Sequence, residues 1–574
     1  MSRRTAWVLA GAVAAVAVGA AAVGAVALLV RGGGRGPMGW TGGSAYLALD
    51  VGGDLPEQPS SGLADLFETP SPSLHGLVGA IDRAAGDSRV QGLLLQVGTL
   101  DAGWGRVQEV RDALVRFQET GKPSWAHLEF AGNLEYYLAT GCGHIAAAPT
   151  ALLDVSGLAA EITFFRGALD KAGVQAQFEG VGKYKNAPNQ FTETGLTAPH
   201  REQMESLVED LFAQYVSAVA QSRGLDAAEV RALVDRGPFD AKTAQEVGLV
   251  DELLYPDEVE RRLGGLERVG PSRYAREVGS GWALDRRPRV ALVHAVGEIL
   301  PGESSPGPLG GATFAGAETI ARGLRQAARD DTVRAVILRV DSPGGSGTAS
   351  DGVWREVGRT RQAKPVVVSM GDAAASGGYY VAMNGDVIVA QPGTITGSIG
   401  VFSGKFSLRG LYDKLGLTQE TVQRGRHAAL FSLYEPWSEE ERRKVRELNE
   451  GFYATFVSKA AEARQKTPAE IDSVAQGRVW TGSQALANGL VDRLGGLEAA
   501  LAAARDRAGI PADQEVALVP MPERKGLLAM LLERQEESVA ARGLGPVPRD
   551  LLRLGTVLSE PGPLARQPFD LRVR

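Results

Sequence analysis

"GDAAASGGYYVA", residues 371–382, has an earlier counterpart in "EFAGNLEYYLA", residues 129–139. The tyrosine pairs Tyr136-Tyr137 and Tyr379-Tyr380 set the alignment, and the same spacing relates "RVQGLLLQV" (89–97) to "TVRAVILRV" (332–340). Farther on, "FDAKTAQEVGLVDEL" (239–253) matches "WTGSQALANGLVDRL" (480–494) at almost the same spacing. Three matches in the same order identify a duplicated unit.

Each copy alternates short apolar, β-branched runs with helical patterns. In the second these are "RVALVHAVGEI", "AETIARGLRQAARDD", "VRAVILRVDSPGG", "SDGVWREVGRTRQAKP" and "PVVVSMGD". Strand-length runs without polar alternation suit strands buried on both faces, so the fold class is α/β, with parallel sheets and right-handed crossover helices. Ser350-Asp351, or the glycines before them, can start the helix through Trp354. The chain divides into an N-terminal segment (1–35), a first repeat (36–270), a linker (271–288), a second repeat (289–515) and a C-terminal extension (516–574) that carries no readable signal.

A chain of 574 residues, 44% hydrophobic and 22% charged, is globular and holds more than one core. Its net charge of -7 offers no basic footprint, so no nucleic-acid partner is expected. Cys142 is the only cysteine, which rules out an intramolecular disulfide and a multi-cysteine zinc site. The six histidines show no H-E-x-x-H pair, and no metal is expected. Residues 6–30 carry no charge and are flanked by Arg3-Arg4 and Arg31. As a helix they would extend about 37 Å, enough to cross a bilayer core. An uncleaved transmembrane anchor is expected, because the run exceeds a signal-peptide core and Leu28-Leu29-Val30 stand where small cleavage-site residues belong; a cleaved export signal is the alternative.

Four stretches can carry chemistry. In "RVDSPGGSG" (339–347), Gly344 and Gly345 can take positive φ and leave backbone N–H groups uncovered, as an oxyanion hole requires; the other reading is a plain strand-to-helix turn. The first copy has "QVGTLDAGWG" there and lacks the pair. Ser376, followed by Gly377-Gly378, is either a helix N-cap or a nucleophile with small neighbours. Its counterpart is Asn133, which caps as well as serine but cannot attack. "GKYKNAPNQF" (182–191) offers Lys183 and Lys185, either of which becomes a base if burial neutralises it. The matching "ETVQRGRHAALF" (420–431) has no lysine. One copy thus keeps a serine and the other keeps lysines, as expected if one active site is divided between two domains. In "TITGSIGVFSG" (394–404), Ser398 sits in a turn and can orient an amine.

"DSPGG", "AASGGYY" and "TGSIGVF", together with "YKNAPNQF", resemble the signal peptide peptidase A (protease IV) family in its long, duplicated form, over most of residues 45–515. The resemblance implies tandem crotonase-like (ClpP-type) domains behind one N-terminal transmembrane helix. It implies a serine endopeptidase of the bacterial inner membrane that degrades signal-peptide remnants and other hydrophobic peptides on the extracytoplasmic side, as a dome-shaped homotetramer without cofactor. By position it makes Ser376 the nucleophile, Lys185 the general base and Ser398 its support, with N–H groups at Gly344, Gly345 and Gly377 as the oxyanion hole. The family usually has Glu-Pro-Phe after the lysine, where this chain has Asn186 and "PNQF". A catalytically degenerate membrane scaffold and an acyl-CoA enzyme of the same fold are the competing readings.

Overall fold

The computed structural model describes residues 43–58, 72–278, 287–304, 314–522 and 564–566. The expected anchor at residues 6–30 lies outside them; among the described residues no helix is long and apolar enough to cross a membrane.

Each repeat builds its own sheet. The first runs, edge to edge, Phe239–Asp240, His144–Leu153, Ser124–Ala131, Val90–Leu100, Ala45–Gly53 and Glu267–Val269. The second runs Val479–Thr481, Ile395–Gly397, Val366–Ala375, Val333–Ser342, Arg289–Val296 and Ala517–Met521. The orders correspond strand for strand, and the central pairs are parallel in both. The last strand of the second sheet, Ala517–Met521, comes from the C-terminal extension. Leu93, Leu94 and Leu95, and likewise Val336, Ile337 and Leu338, are all buried, as in strands covered on both faces. The helix through Trp354 spans Gly347–Arg361 and starts ahead of Ser350-Asp351, with the Ser346 hydroxyl accepting from Ala349 N–H.

The repeated motifs do the same structural work twice. Tyr136 donates its hydroxyl to the Leu249 carbonyl at 2.7 Å, and Tyr379 donates to that of Leu490 at 3.0 Å. Each "GLVD" aspartate, Asp251 and Asp492, pairs with an arginine of the preceding long helix, Arg223 and Arg464, and accepts from a strand N–H. The conspicuous tyrosines are therefore core struts.

The halves meet through buried polar groups. Arg339, only 1% exposed, donates to Glu57 at 2.8 and 2.9 Å and to Glu109 at 2.8 Å, both from the first repeat. Asp372, four residues before Ser376, accepts from the backbone N–H groups of Gly103 and Arg106 at 2.7 Å each and pairs with the Arg106 guanidinium. A Cβ on Gly103 would come within 2.4 Å of the Asp372 carboxyl carbon, and one on Gly105 within 2.6 Å of the Gly371 carbonyl oxygen. The "GWG" of the first copy is thus a docking face for the strand that ends at Ser376.

A third sheet ties the halves together. Val401–Ser407 of the second repeat runs antiparallel to Gln175–Val181 of the first, in register from Val401 opposite Val181 to Ser407 opposite Gln175.

Arg339→Ala leaves Glu57 and Glu109 buried without their cation. Urea denaturation should then show a loss of about 3–5 kcal/mol; an unchanged midpoint would remove the cluster from the account of how the halves cohere.

Candidate active site

Ser376 stands between the strand Val366–Ala375 and the helix Gly377–Ala382. Its backbone has φ 55° and ψ −112°, a conformation that costs a non-glycine residue of order 1–3 kcal/mol. Two backbone bonds hold it there: its N–H donates to the Gly397 carbonyl and its carbonyl accepts from Tyr380 N–H, each at 2.8 Å. The side chain makes no cap bond to the helix, so the N-cap reading of its hydroxyl does not describe it. Gly378 has no room for a side chain, since a Cβ would lie 2.7 Å from the Ser342 carbonyl oxygen.

The Ser376 hydroxyl instead meets Lys185. Strand Gln175–Val181 delivers the chain to Gly182, at φ 110°, where a Cβ would lie 2.4 Å from the Gln476 carbonyl carbon. The turn then sends Lys185 inward. Its Nζ lies 2.8 Å from Ser376 Oγ, 3.0 Å from Ser398 Oγ and 3.5 Å from the Ser398 carbonyl. The lysine is 6% exposed, and its stem runs past Gly400 and Gly477, where a Cβ would stand 3.2 and 2.6 Å from its side-chain carbons. Burial holds the amine well below the ordinary lysine range. Lys183 points the other way: its side chain is 58% exposed and bonds Tyr184 Oη at 3.0 Å.

Ser398, at φ 52°, is the second serine with a positive φ, and its N–H donates to the Arg478 carbonyl at 2.7 Å. Gly344 has φ 104°, and a Cβ on Gly345 would strike the Ile299 carbonyl oxygen at 2.2 Å. Gly344 N–H is directed to Ser342 Oγ at 3.1 Å. Gly377 opens the helix behind Ser376, in a turn whose N–H groups lack intrahelical partners. At the matching place in the first repeat, Asn133 exchanges hydrogen bonds with the backbone of Gly157 at 2.9 and 3.1 Å.

Pro188 of "PNQF" caps the short helix Asn189–Thr192, and Asn189 donates to Asn186 Oδ1 at 3.2 Å. Phe191 stacks on Phe178 at 6.1 Å and meets Phe406 edge-on at 5.4 Å. Phe402 joins the group, its ring centroid 6.0 Å from Lys185 Nζ. This apolar wall, built from both repeats, was not evident from the sequence. Only the alternation of "VFSGKF" hinted at the strand that supplies half of it.

An amine whose charged form burial disfavours, bonded to a strained, buried hydroxyl with a glycine turn close by, is equipped for acyl transfer.

The profile of peptidase family S49 matches residues 116–269 and 359–511, one match in each repeat. Serine protease SPPA, chloroplastic, of Arabidopsis thaliana is 34% identical over 76% of this chain and 66% of its own length. Protease 4 of Salmonella typhi is 33% identical over 80% of this chain and 78% of its own, and that of Haemophilus influenzae 31% identical over 75% and 72%. Among solved structures, a mutant ClpP1 from Listeria monocytogenes aligns with 35% of this chain and 90% of its own at 13% identity and a TM-score of 0.23. That likeness is too slight to bear on the fold, which rests on the strand order above. With both repeats matched, and with relatives aligned across them, the chain belongs to peptidase family S49 as a serine peptidase of the long, duplicated signal peptide peptidase A type.

Proposed function

We propose that this chain is a membrane-anchored endopeptidase that cleaves apolar peptides, spent signal peptides among them, with a Ser376/Lys185 dyad divided between its repeats. The observation that carries the reading is the 2.8 Å contact between Lys185 Nζ and Ser376 Oγ, made by an amine whose pKa burial lowers well below the ordinary lysine range. Lys185 takes the Ser376 proton as Oγ attacks a peptide carbonyl. N–H groups of Gly345 and Gly377, with Gly344 shaping the turn, receive the oxyanion. The lysine ammonium then protonates the departing amine, and water, activated by the same lysine, releases the acyl group. Ser398 accepts an N–H of the amine and so turns its lone pair toward Ser376. The phenylalanine wall favours apolar side chains, and residues 6–30 would hold the catalytic domains at the outer face of a bacterial inner membrane.

We also propose a homo-oligomer, tetrameric by family resemblance. By the repeat, the counterpart of strand Gln175–Val181 is 418–424, directly after Leu417, and that of Val401–Ser407 is 158–164; neither forms an extended strand. Residues 417–424 are exposed throughout, with Val422 at 89%. Within the chain, the first repeat's strand pairs with the second repeat's; between chains the two leftover segments can pair likewise, a head-to-tail contact that closes into a ring. The double variant Leu417→Asp, Val422→Asp should shift the light-scattering mass to a smaller species; an unchanged mass would place the interface elsewhere.

Ser376→Ala should reduce hydrolysis of an apolar peptide to background, and Lys185→Ala should lower kcat by about 10²–10⁴-fold, while Lys183→Ala leaves it near wild type. A serine-reactive acylating probe should label Ser376, and retention of activity by Lys185→Ala would transfer the base role to another group. Ser398→Ala is expected to lower kcat with little change in KM, since it disturbs the amine's orientation and not peptide binding.

The acid limb of kcat/KM reports the lysine. Because burial lowers its pKa, the neutral base persists well below pH 10.5 and activity falls only as pH drops through the lowered value. A pH–rate profile still rising toward 10.5 would contradict this.

A further inference from the structure

Segment 476–478 of the second repeat touches both turns that meet at Lys185 Nζ. Toward the first repeat, the Gln476 carbonyl accepts from Tyr184 N–H at 2.7 Å. Gly477, at φ 76°, lies against Lys185 itself, where a Cβ would stand 2.6 Å from the lysine's backbone nitrogen and its Cβ. Within its own repeat, Gly477 N–H donates to the Ile399 carbonyl and the Arg478 carbonyl accepts from Ser398 N–H, each at 2.7 Å. The Arg478 side chain then reaches back to the lysine's turn. Its guanidinium carbon lies 4.8 Å from the ring centroid of Tyr184, the residue before Lys185, and 4.3 Å from that of Trp480. It also donates to Glu202 at 2.9 Å, and the same carboxylate oxygen accepts the Tyr184 hydroxyl at 2.7 Å.

We propose that Arg478 is a positioning residue of the dyad. Its guanidinium, packed between Tyr184 and Trp480 and paired with Glu202, fixes the turn that aims Lys185 at Ser376, while its backbone fixes the Ser398 turn. The inference rests on the reading of Lys185 as general base. The two turns belong to different repeats, so the chain between them does not hold them in step; a residue joined to both does. A planar guanidinium stacked on rings and bonded at one end admits few arrangements, which a flexible ammonium does not reproduce. The Arg478 side chain is 17% exposed and that of Glu202 49%, so their ion pair adds little to stability, and the role of the cluster lies in aim. The repeat points to specialisation at this position. Two residues before the matched segments 480–494 and 239–253 stand Arg478 and Gly237. A Cβ on Gly237 would lie 2.3 Å from the Val155 carbonyl oxygen. The copy that carries Asn133 in place of Ser376 thus has no room for a side chain where the other copy places its arginine.

The test measures kcat, KM and the pH dependence of kcat/KM on an apolar fluorogenic peptide, with a thermal melt of each variant. Arg478→Ala should lower kcat about tenfold, as a small misplacement of a reacting group does, with KM and the melt little changed. Its acid limb should move up by about one pH unit toward 10.5, because a loosened turn lets water reach the amine and eases the burial that depresses it. Arg478→Lys keeps the charge, loses the planar stack, and should show both effects. Tyr184→Ala should resemble Arg478→Ala, and the double variant should cost no more than either alone, since both remove one contact. Should Arg478→Ala fail to fold, Arg478→Lys and Tyr184→Ala carry the same comparison. Full rescue by Arg478→Lys would overturn the proposal in favour of a charge effect. So would an unchanged kcat, a lowered kcat with an unmoved acid limb, or a raised KM at constant kcat, which would place Arg478 in peptide binding. Lys185→Ala separates the failures. If it is inactive while Arg478→Ala behaves as wild type, the positioning role alone falls; if it is active, the base and the positioning role fall together.

Discussion

A lysine amine removed from water is the constraint around which this molecule is arranged. Desolvation depresses its pKa, and the same burial demands polar partners, which two serine hydroxyls provide at 2.8 and 3.0 Å. Neither serine belongs to the lysine's repeat. Keeping the amine in place therefore requires that one domain's turn penetrate the other, and the surroundings reflect that demand. Gly400 and Gly477 clear a path for the stem, Gly182 bends the chain toward it, and seven register pairs between Gln175–Val181 and Val401–Ser407 fix the depth of entry.

Duplication followed by divergence explains the asymmetry of the halves. Both retain the tyrosine strut and the arginine–aspartate pair, because each needs them to close its own core. They differ where only one site is required. Asn133 ties down the turn at Gly157, whereas Ser376 is kept in a strained backbone with its hydroxyl turned away from the helix it precedes. The glycines also parted company. Gly344 and Gly345 form a short strand beside the serine, while Gly103 and Gly105 give way to Asp372 and Gly371 of the other repeat.

Local and periodic features were legible in the sequence. The tyrosine pairs and "GLVD" segments exposed the repeat, and unbroken β-branched runs announced parallel strands. Ser376 and Lys185 stood out because each was missing from the opposite copy. The choice between Lys183 and Lys185 came from family resemblance, since adjacent lysines in a turn have no intrinsic preference for inside or outside; Gly182 and the Gln476 backbone set it. The antiparallel pairing that joins the repeats was not legible. Its strands are more than two hundred residues apart, and neither reads differently from an ordinary edge. The "GWG" loop looked like a lost glycine pair, although its glycines dock the partner strand. The C-terminal extension showed no periodicity, and what its described residues contribute is short: Ala517–Met521 at a sheet edge, and the strand Leu564–Arg566.

The distance along the chain between the two reactive groups has a consequence for synthesis. Lys185 leaves the ribosome 191 residues before Ser376, and the partner of the strand that delivers it, Val401–Ser407, follows later still. A nascent polypeptide halted anywhere in the first sheet, or a fragment released by abortive translation, carries an amine with no hydroxyl to activate. On the dyad proposed above, joining the two halves in one reading frame withholds hydrolysis until the second domain has emerged and folded against the first.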